Sequence, residues 1–114
     1  MKIHYLEIVT PEAGSICRAY ESALGMSFGA PDPMLGGART AALPTGGTLG
    51  VRAPMHESEQ PTTRPYWLVD DIEAAVAAAV ESGAEIAHPP LEIPGKGSFA
   101  ILFQGGTQYG LWQH

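Results

Sequence analysis

The sequence predicts an α+β fold: two βαβββ repeats forming a half-open barrel, with the helices outside. Three observations carry this expectation. Two segments show apolar residues at i, i+3, i+4, i+7 and i+8, the mark of one buried helical face. Short β-branched and aromatic runs, separated by Gly and Pro, surround each of them. The two halves also superpose on a single constant shift along the chain. That shift lays Val9 on Val69, Ala19 on Ala79, Glu21-Ser22 on Glu81-Ser82 and Gly50 on Gly110. Gly46-Gly47-Thr48 falls on Gly105-Gly106-Thr107 with one residue of slip.

Each element has a local reason. Ile3 to Val9 is short and rich in Ile, Leu, Tyr and Val, so it reads as a strand. Thr10 followed by Pro11 reads as a helix start, a capping hydroxyl before a residue whose fixed φ suits the first turn. Ile16, Ala19, Tyr20, Ala23 and Leu24 form the apolar face of that helix, and Gly25 ends it. A further short strand is expected near Met26 to Phe28. Residues 38–44 and 48–52 read as two strands around a turn at Gly46-Gly47. The polar, proline-bearing stretch that follows shows no periodicity and reads as a connector. The pattern then restarts. Tyr66 to Val69 is a strand, Asp70-Asp71 a helix cap, and Ile72, Ala75, Val76, Ala79 and Val80 a second apolar face ended by Gly83. Glu85 to His88, Ser98 to Phe103 and Gln108 to Trp112 are the remaining strands. One domain spans residues 1–114, with repeat 1 at about 1–53, the connector at 54–63 and repeat 2 at about 64–114.

Composition limits the function. A chain of 114 residues has room for one domain. Hydrophobic residues at 45% suffice for a core, while charged residues reach only 16%, below the usual quarter. Six Lys+Arg against twelve Asp+Glu give a net charge of -6, which argues against nucleic acid and against an anionic membrane surface as partners. The single cysteine, Cys17, allows no internal disulfide and no cysteine-based zinc cluster, and is expected as a small core residue. No apolar run is long enough to cross a membrane, and Met1-Lys2-Ile3-His4 does not read as a signal peptide. A cytoplasmic location is expected. Neither glycine pair is followed by the Lys-Ser/Thr of a phosphate loop, and Gly95-Lys96-Gly97 reads as a turn.

Pairing the two repeats would turn the helix-free faces of their strands toward a concave pocket. Leu6 and Ile8 suit the helix side of the first strand, leaving Tyr5, Glu7 and Val9 for the pocket. The opposite register would press Glu7 against the helix, at a cost of several kcal/mol if charged. By the same alternation Arg64 and Tyr66 face the pocket while Trp67 and Val69 face the helix. Arg52 stands two residues after Gly50, and Trp112 two after Gly110. The expected ligand-binding residues are therefore Tyr5, Gly50, Arg52, Arg64, Tyr66, Gly110 and Trp112, with Glu7 as the candidate catalytic base. Two arginines beside aromatic walls suit a polar or anionic organic molecule. The plainer reading is a buried Arg–Glu pair that fills a blind barrel. Arg39 is a weaker pocket candidate, His88 could rim the mouth, and His56 reads as a surface residue.

Certain motifs resemble a known family. The strand–Thr-Pro-Glu–helix segment ending Ala19-Tyr20-Glu21-Ser22-Ala23-Leu24-Gly25-Met26 is similar to the corresponding helix of the vicinal oxygen chelate superfamily. That group includes glyoxalase I, bleomycin-resistance proteins and extradiol dioxygenases. Tyr66-Trp67-Leu68-Val69-Asp70-Asp71-Ile72 resembles its second-half strand and helix start, and Gly105-Gly106 with Gly110-Leu111-Trp112-Gln113 its terminal hairpin. The resemblance implies a divalent metal held by His or Gln in the first strand, Glu ending the first half, His opening the second and Glu near the C-terminus. Carried over by position, the two glutamates fall on Gly50 and Gly110 and the second-half histidine on Arg64. The first-strand ligand falls on Tyr5 counting back from Tyr20, or on His4 counting by the repeat. Glycine offers no side-chain ligand and arginine repels a cation, so no metal and no other cofactor is expected. The resemblance implies a homodimer. Three functions stay open. The first is metal-free binding of a small organic molecule, as in the drug-resistance relatives. The second is a metal-independent enzyme with Glu7 as general base and Arg52 or Arg64 stabilising an oxyanion. The third is a metal enzyme using His4, Glu7 and another acid.

Overall fold

The computed structural model describes residues Met1–His114. It contains β1 (Ile3–Val9), α1 (Ala13–Leu24), β2 (Arg39–Ala42), β3 (Thr48–Arg52), β4 (Thr62–Leu68), α2 (Ile72–Glu81), β5 (Glu85–Ile93), β6 (Gly97–Gln104) and β7 (Thr107–Gln113). A turn of 3₁₀ helix covers Pro33–Leu35. This is the expected α+β class, with parallel and antiparallel strand pairs. No helix is long and apolar enough to cross a membrane. The chain divides into two compact units, Tyr5–Thr63 and Met1–His4 with Arg64–His114.

In the first unit, β3 lies between β1 and β2, parallel to β1 and antiparallel to β2. Its core gathers around Cys17, which is fully buried with Leu49 and Val51; Leu6, Ile8, Ala13, Ile16 and Tyr20 pack against them. The β1 register is the expected one, because Leu6 and Ile8 meet the α1 cluster while Tyr5, Glu7 and Val9 are buried on the alternate positions. The helix itself corrects two expectations. It begins at Ala13 rather than at Pro11, because the Thr10 hydroxyl caps the chain too early, accepting from the Glu12 N–H at 3.1 Å; Glu12 then starts the helix without a side-chain cap. Its buried stripe is Ala13, Ile16, Cys17 and Tyr20, while Ala19, Ala23 and Leu24 are turned away from that cluster.

The expected strand at Met26–Phe28 is absent. At its end the Phe28 N–H donates to Glu21 Oε2 and the Phe28 carbonyl accepts from Arg39; the following Gly29 N–H donates to Thr40 O at 2.9 Å, and its carbonyl accepts from the Arg39 Nε. Arg39 thereby staples this segment. The first unit is βαββ, one strand short of its expected pattern. At the opposite end, the turn at Gly46-Gly47 forms where expected.

The second unit keeps the full βαβββ order, with strands arranged β4-β7-β6-β5. β4 and β7 are parallel, and the other pairs antiparallel. Asp71 caps α2 as its sequence predicts, accepting from the Ala74 N–H at 3.1 Å. Ile72 and Val76 are buried against Ala84, Ala100, Leu102 and Leu111, while Val80, placed by periodicity on the same face, is largely exposed. β5 runs past His88 through Pro89-Pro90 to Ile93, longer than expected. It is an edge strand with register shifts on both sides of His88, the setting in which proline is tolerated within a sheet. The Gly105-Gly106 hairpin has φ of 63° and 75°. Glycine adopts such positive values without strain.

Candidate functional site

The eight expected ligand-binding and catalytic residues are all buried, and they fall into two groups. Tyr5, Glu7, Gly50 and Arg52 lie in the first unit, and Arg64, Tyr66, Gly110 and Trp112 in the second.

The first group is organised by parallel pairing of β1 with β3, which places Tyr5 opposite Thr48, Glu7 opposite Gly50 and Val9 opposite Arg52. The Arg52 Nε donates to Glu7 Oε2 at 2.8 Å. Its two terminal nitrogens form a fork on Glu59, Nη1 to Oε1 at 2.9 Å and Nη2 to Oε2 at 2.7 Å, and Nη1 also donates to Ala53 O. One buried cation thus holds two carboxylates. The hydrogen bonds it donates to Glu59, then the Glu7 charge, raise the Arg52 pKa despite burial, so the guanidinium stays protonated at any working pH. Glu59 is the member that the sequence reading missed. It sits in the connector, which has no periodicity to mark a buried side. The available signal was donor count, since a buried guanidinium has five N–H donors to satisfy and the Glu7 carboxylate alone cannot accept them all.

Tyr5 lies directly over Gly50. A Cβ at Gly50 would collide with the Tyr5 phenol, whose Cε1 it would approach to 2.9 Å. Burial, then the Glu7 charge, raises the Tyr5 pKa well above its usual range, which keeps the phenol neutral.

The second group repeats this packing. β4 pairs in parallel with β7, Tyr66 opposite Gly110 and Leu68 opposite Trp112. The Tyr66 ring covers Gly110, whose Cβ would sit 2.7 Å from its Cγ. In the two ladders Glu7 stands opposite Gly50 as Tyr66 stands opposite Gly110, so the position two residues earlier is Tyr5 in the first repeat and Arg64 in the second, and His4 is not the equivalent residue. His4 instead packs against Trp112 and His114, with ring centroids 5.4 and 4.4 Å away. Burial, then the charges of His114 and Lys2, lower the His4 pKa.

Around Tyr66 stand Trp112, edge-on with ring centroids 5.7 Å apart, and Phe99 at 6.3 Å. His88 stacks on Phe99 at 5.0 Å. Such tilted and stacked pairs are the favoured aromatic geometries. Trp112 is fixed by its indole N–H donating to Lys96 O at 3.1 Å. Arg64 is oriented by Gln108 Oε1, which accepts from Nε at 3.0 Å and from Nη2 at 2.7 Å, and by the Tyr66 hydroxyl at 3.4 Å from Nη1. His56 is exposed and bonded to Ser58, as expected for a surface residue.

These residues do not fit a divalent metal. No three His, Cys, Asp or Glu side chains gather in a ligating cluster. The two glycines contribute no donor, and tyrosine rings fill the space a longer side chain would need. Glu7 is engaged by a guanidinium, which carries the charge a metal would supply.

No family model matches the sequence. No curated protein matches it either. Solved structures do. A hypothetical protein from Bacillus halodurans is 15% identical with a TM-score of 0.76, over 99% of this chain and 94% of that one. Methylmalonyl-CoA epimerase from Streptomyces coelicolor, solved in complex with 2-nitronate-propionyl-CoA, is 14% identical with a TM-score of 0.72, over 99% and 94%. The epimerase from Mycobacterium tuberculosis is 16% identical with a TM-score of 0.69, over 96% and 85%. These likenesses define the fold, which is that of the vicinal oxygen chelate, glyoxalase-like superfamily, as the sequence motifs imply.

Proposed function

We propose that the chain binds a small polar or anionic organic molecule without a metal, in the manner of bleomycin-resistance-like proteins. The observation that carries this reading is Arg64, a buried guanidinium held by Gln108 and by the hydroxyl of Tyr66, whose ring packs with Trp112 and Phe99. A ligand carboxylate that took the place of the neutral Gln108 amide would meet the Nε–Nη2 edge of this guanidinium bidentately, and the rings offer flat apolar surface for the rest of the ligand. The likeness to an epimerase solved with an acyl-CoA analogue supports an organic ligand on this fold. A homodimer in a reducing cytoplasm completes the proposal, the first from the family resemblance and the second from the lone buried thiol of Cys17.

The test is a thermal-shift screen against small aromatic and anionic metabolites, followed by calorimetric titration of the best hit. Arg64→Gln removes a charge-assisted pair and should weaken binding roughly tenfold to a hundredfold. Unchanged affinity in that variant overturns the reading.

A second reading, a metal-independent enzyme with Glu7 as general base, draws on the epimerase names among the structural neighbours. Arg52 serves it poorly, since an oxyanion would compete with two carboxylates already on that guanidinium. Arg64 is the better oxyanion partner. Under this reading Glu7→Gln abolishes turnover while ligand affinity persists. The third reading, a metal held by His4 and Glu7, is disfavoured by strand alternation. An odd separation along β1 sends the two side chains to opposite sides.

A further inference from the structure

We propose that Glu59 is a built-in stand-in for a ligand carboxylate, and that Arg52 is a second carboxylate-binding position that the connector keeps closed. This rests on the reading that the chain takes an anionic organic molecule. The geometry is that of ligand recognition rather than of a surface ion pair. Both Glu59 oxygens meet the two terminal nitrogens of one guanidinium, at 2.9 and 2.7 Å. That is the parallel fork by which arginine takes a free carboxylate. The guanidinium is buried and is oriented from behind by Glu7, so the fork is already aimed before anything meets it.

Glu59 reaches this position from a segment with neither helix nor strand between β3 and β4. Most of that segment is exposed: Ala53, Met55, His56, Glu57, Ser58, Gln60 and Pro61 all face solvent. Its internal order depends on the same carboxylate, because the Met55 N–H donates to Glu59 Oε1 at 2.7 Å. The rest of its backbone bonding is short-range, Glu59 N–H to His56 O and Arg52 Nη1 to Ala53 O. Displacing Glu59 would therefore free the segment without dismantling a sheet or helix. Arg52 would remain paired with Glu7, so the exchange never leaves a bare buried cation.

An incoming carboxylate must outcompete a tethered one. Glu59 follows Arg52 closely in sequence, and a short tether gives an effective concentration on the order of millimolar or higher. Simple carboxylates thus bind weakly to the intact protein at this position, and only ligands with further contacts open it. The connector acts as a selectivity filter.

Benzoate is the probe, titrated calorimetrically into the wild type, Glu59→Gln, and Glu57→Gln, an exposed neighbour with the same charge change. Glu59→Gln should tighten benzoate binding about tenfold or more, by removing the tethered competitor. Glu57→Gln should leave it unchanged. The gain should persist in Glu59→Gln combined with Arg64→Gln, which separates this proposal from the Arg64 reading. Equal affinity in Glu59→Gln and wild type overturns it, whatever Arg64 does. Should Glu59→Gln fail to fold, hydrogen exchange at the Met55 amide of the wild type decides. Exchange that accelerates under saturating benzoate supports displacement, and unchanged protection overturns it.

Discussion

Tyr5 and Tyr66 each rest on a glycine of the neighbouring parallel strand, and that arrangement sets what can change there. Gly50 and Gly110 are buried within strands and lie outside the positive-φ region, so backbone freedom does not explain them. What they supply is the absence of a Cβ, which lets a phenol ring lie on the strand. Gly50→Ala forces the Tyr5 ring out of its site, and overpacking of this kind costs about 1–3 kcal/mol. Urea denaturation should show that loss as a lower midpoint. The same change in a Tyr5→Ala background should cost clearly less, because the ring it collides with is gone; equal costs in both backgrounds would show that the phenol is not what Gly50 accommodates. Both glycines, both tyrosines and both buried arginines were legible in the sequence, because strand alternation assigns faces from one or two anchor residues. Glu59 was not. A side chain that returns to the core from an irregular segment obeys no period, and only the unsatisfied donors of its partner announce it.

At the level of elements, the two helices show why one start signal worked and the other misled. Asp71 adopts an extended φ of -138° and turns its carboxylate back onto the Ala74 N–H, so the first turn of α2 is capped by the residue that precedes it. Thr10 instead spends its hydroxyl on Glu12 N–H, before the helix has begun, and α1 starts uncapped. Asp71→Ala should therefore cost about 1 kcal/mol, while Glu12→Ala at the equivalent position of α1 should stay within about 0.5 kcal/mol. Paired chemical denaturation curves measure both, and an equal loss would refute this account of the caps. The strands divide likewise. Those whose hydrogen bonds all run to a ladder, such as β6 and β7, were foreseen nearly to the residue. The expected strand at Met26–Phe28 failed where the side chains of Glu21 and Arg39 take up the Phe28 N–H and carbonyl, a tertiary substitution that no local pattern carries.

For the molecule as a whole, the scarcity of charge becomes a functional constraint. With only 16% charged residues, each buried ionic group is a sizeable part of the inventory. Two of the twelve acids are committed to Arg52, and the positions from which the family resemblance would draw two more carboxylates hold glycine. A divalent cation needs several oxygen or nitrogen donors at once, and a hard cation satisfied by one carboxylate and water binds weakly. A metal bound at about a hundred times its dissociation constant would stabilise the native state by about 2.7 kcal/mol. For a domain of this size, stripping it would lower the melting temperature by roughly 10 °C. Excess chelator should instead shift the melting curve by less than about 1 °C, well inside the displacement that a tightly held metal demands. Elemental analysis of the untreated protein should find far less than one divalent ion per chain. A stoichiometric metal, or a chelator-dependent loss of stability, would mean that donors outside the predicted ligand positions assemble a site, and the arginine-centred reading of ligand binding would fall with it.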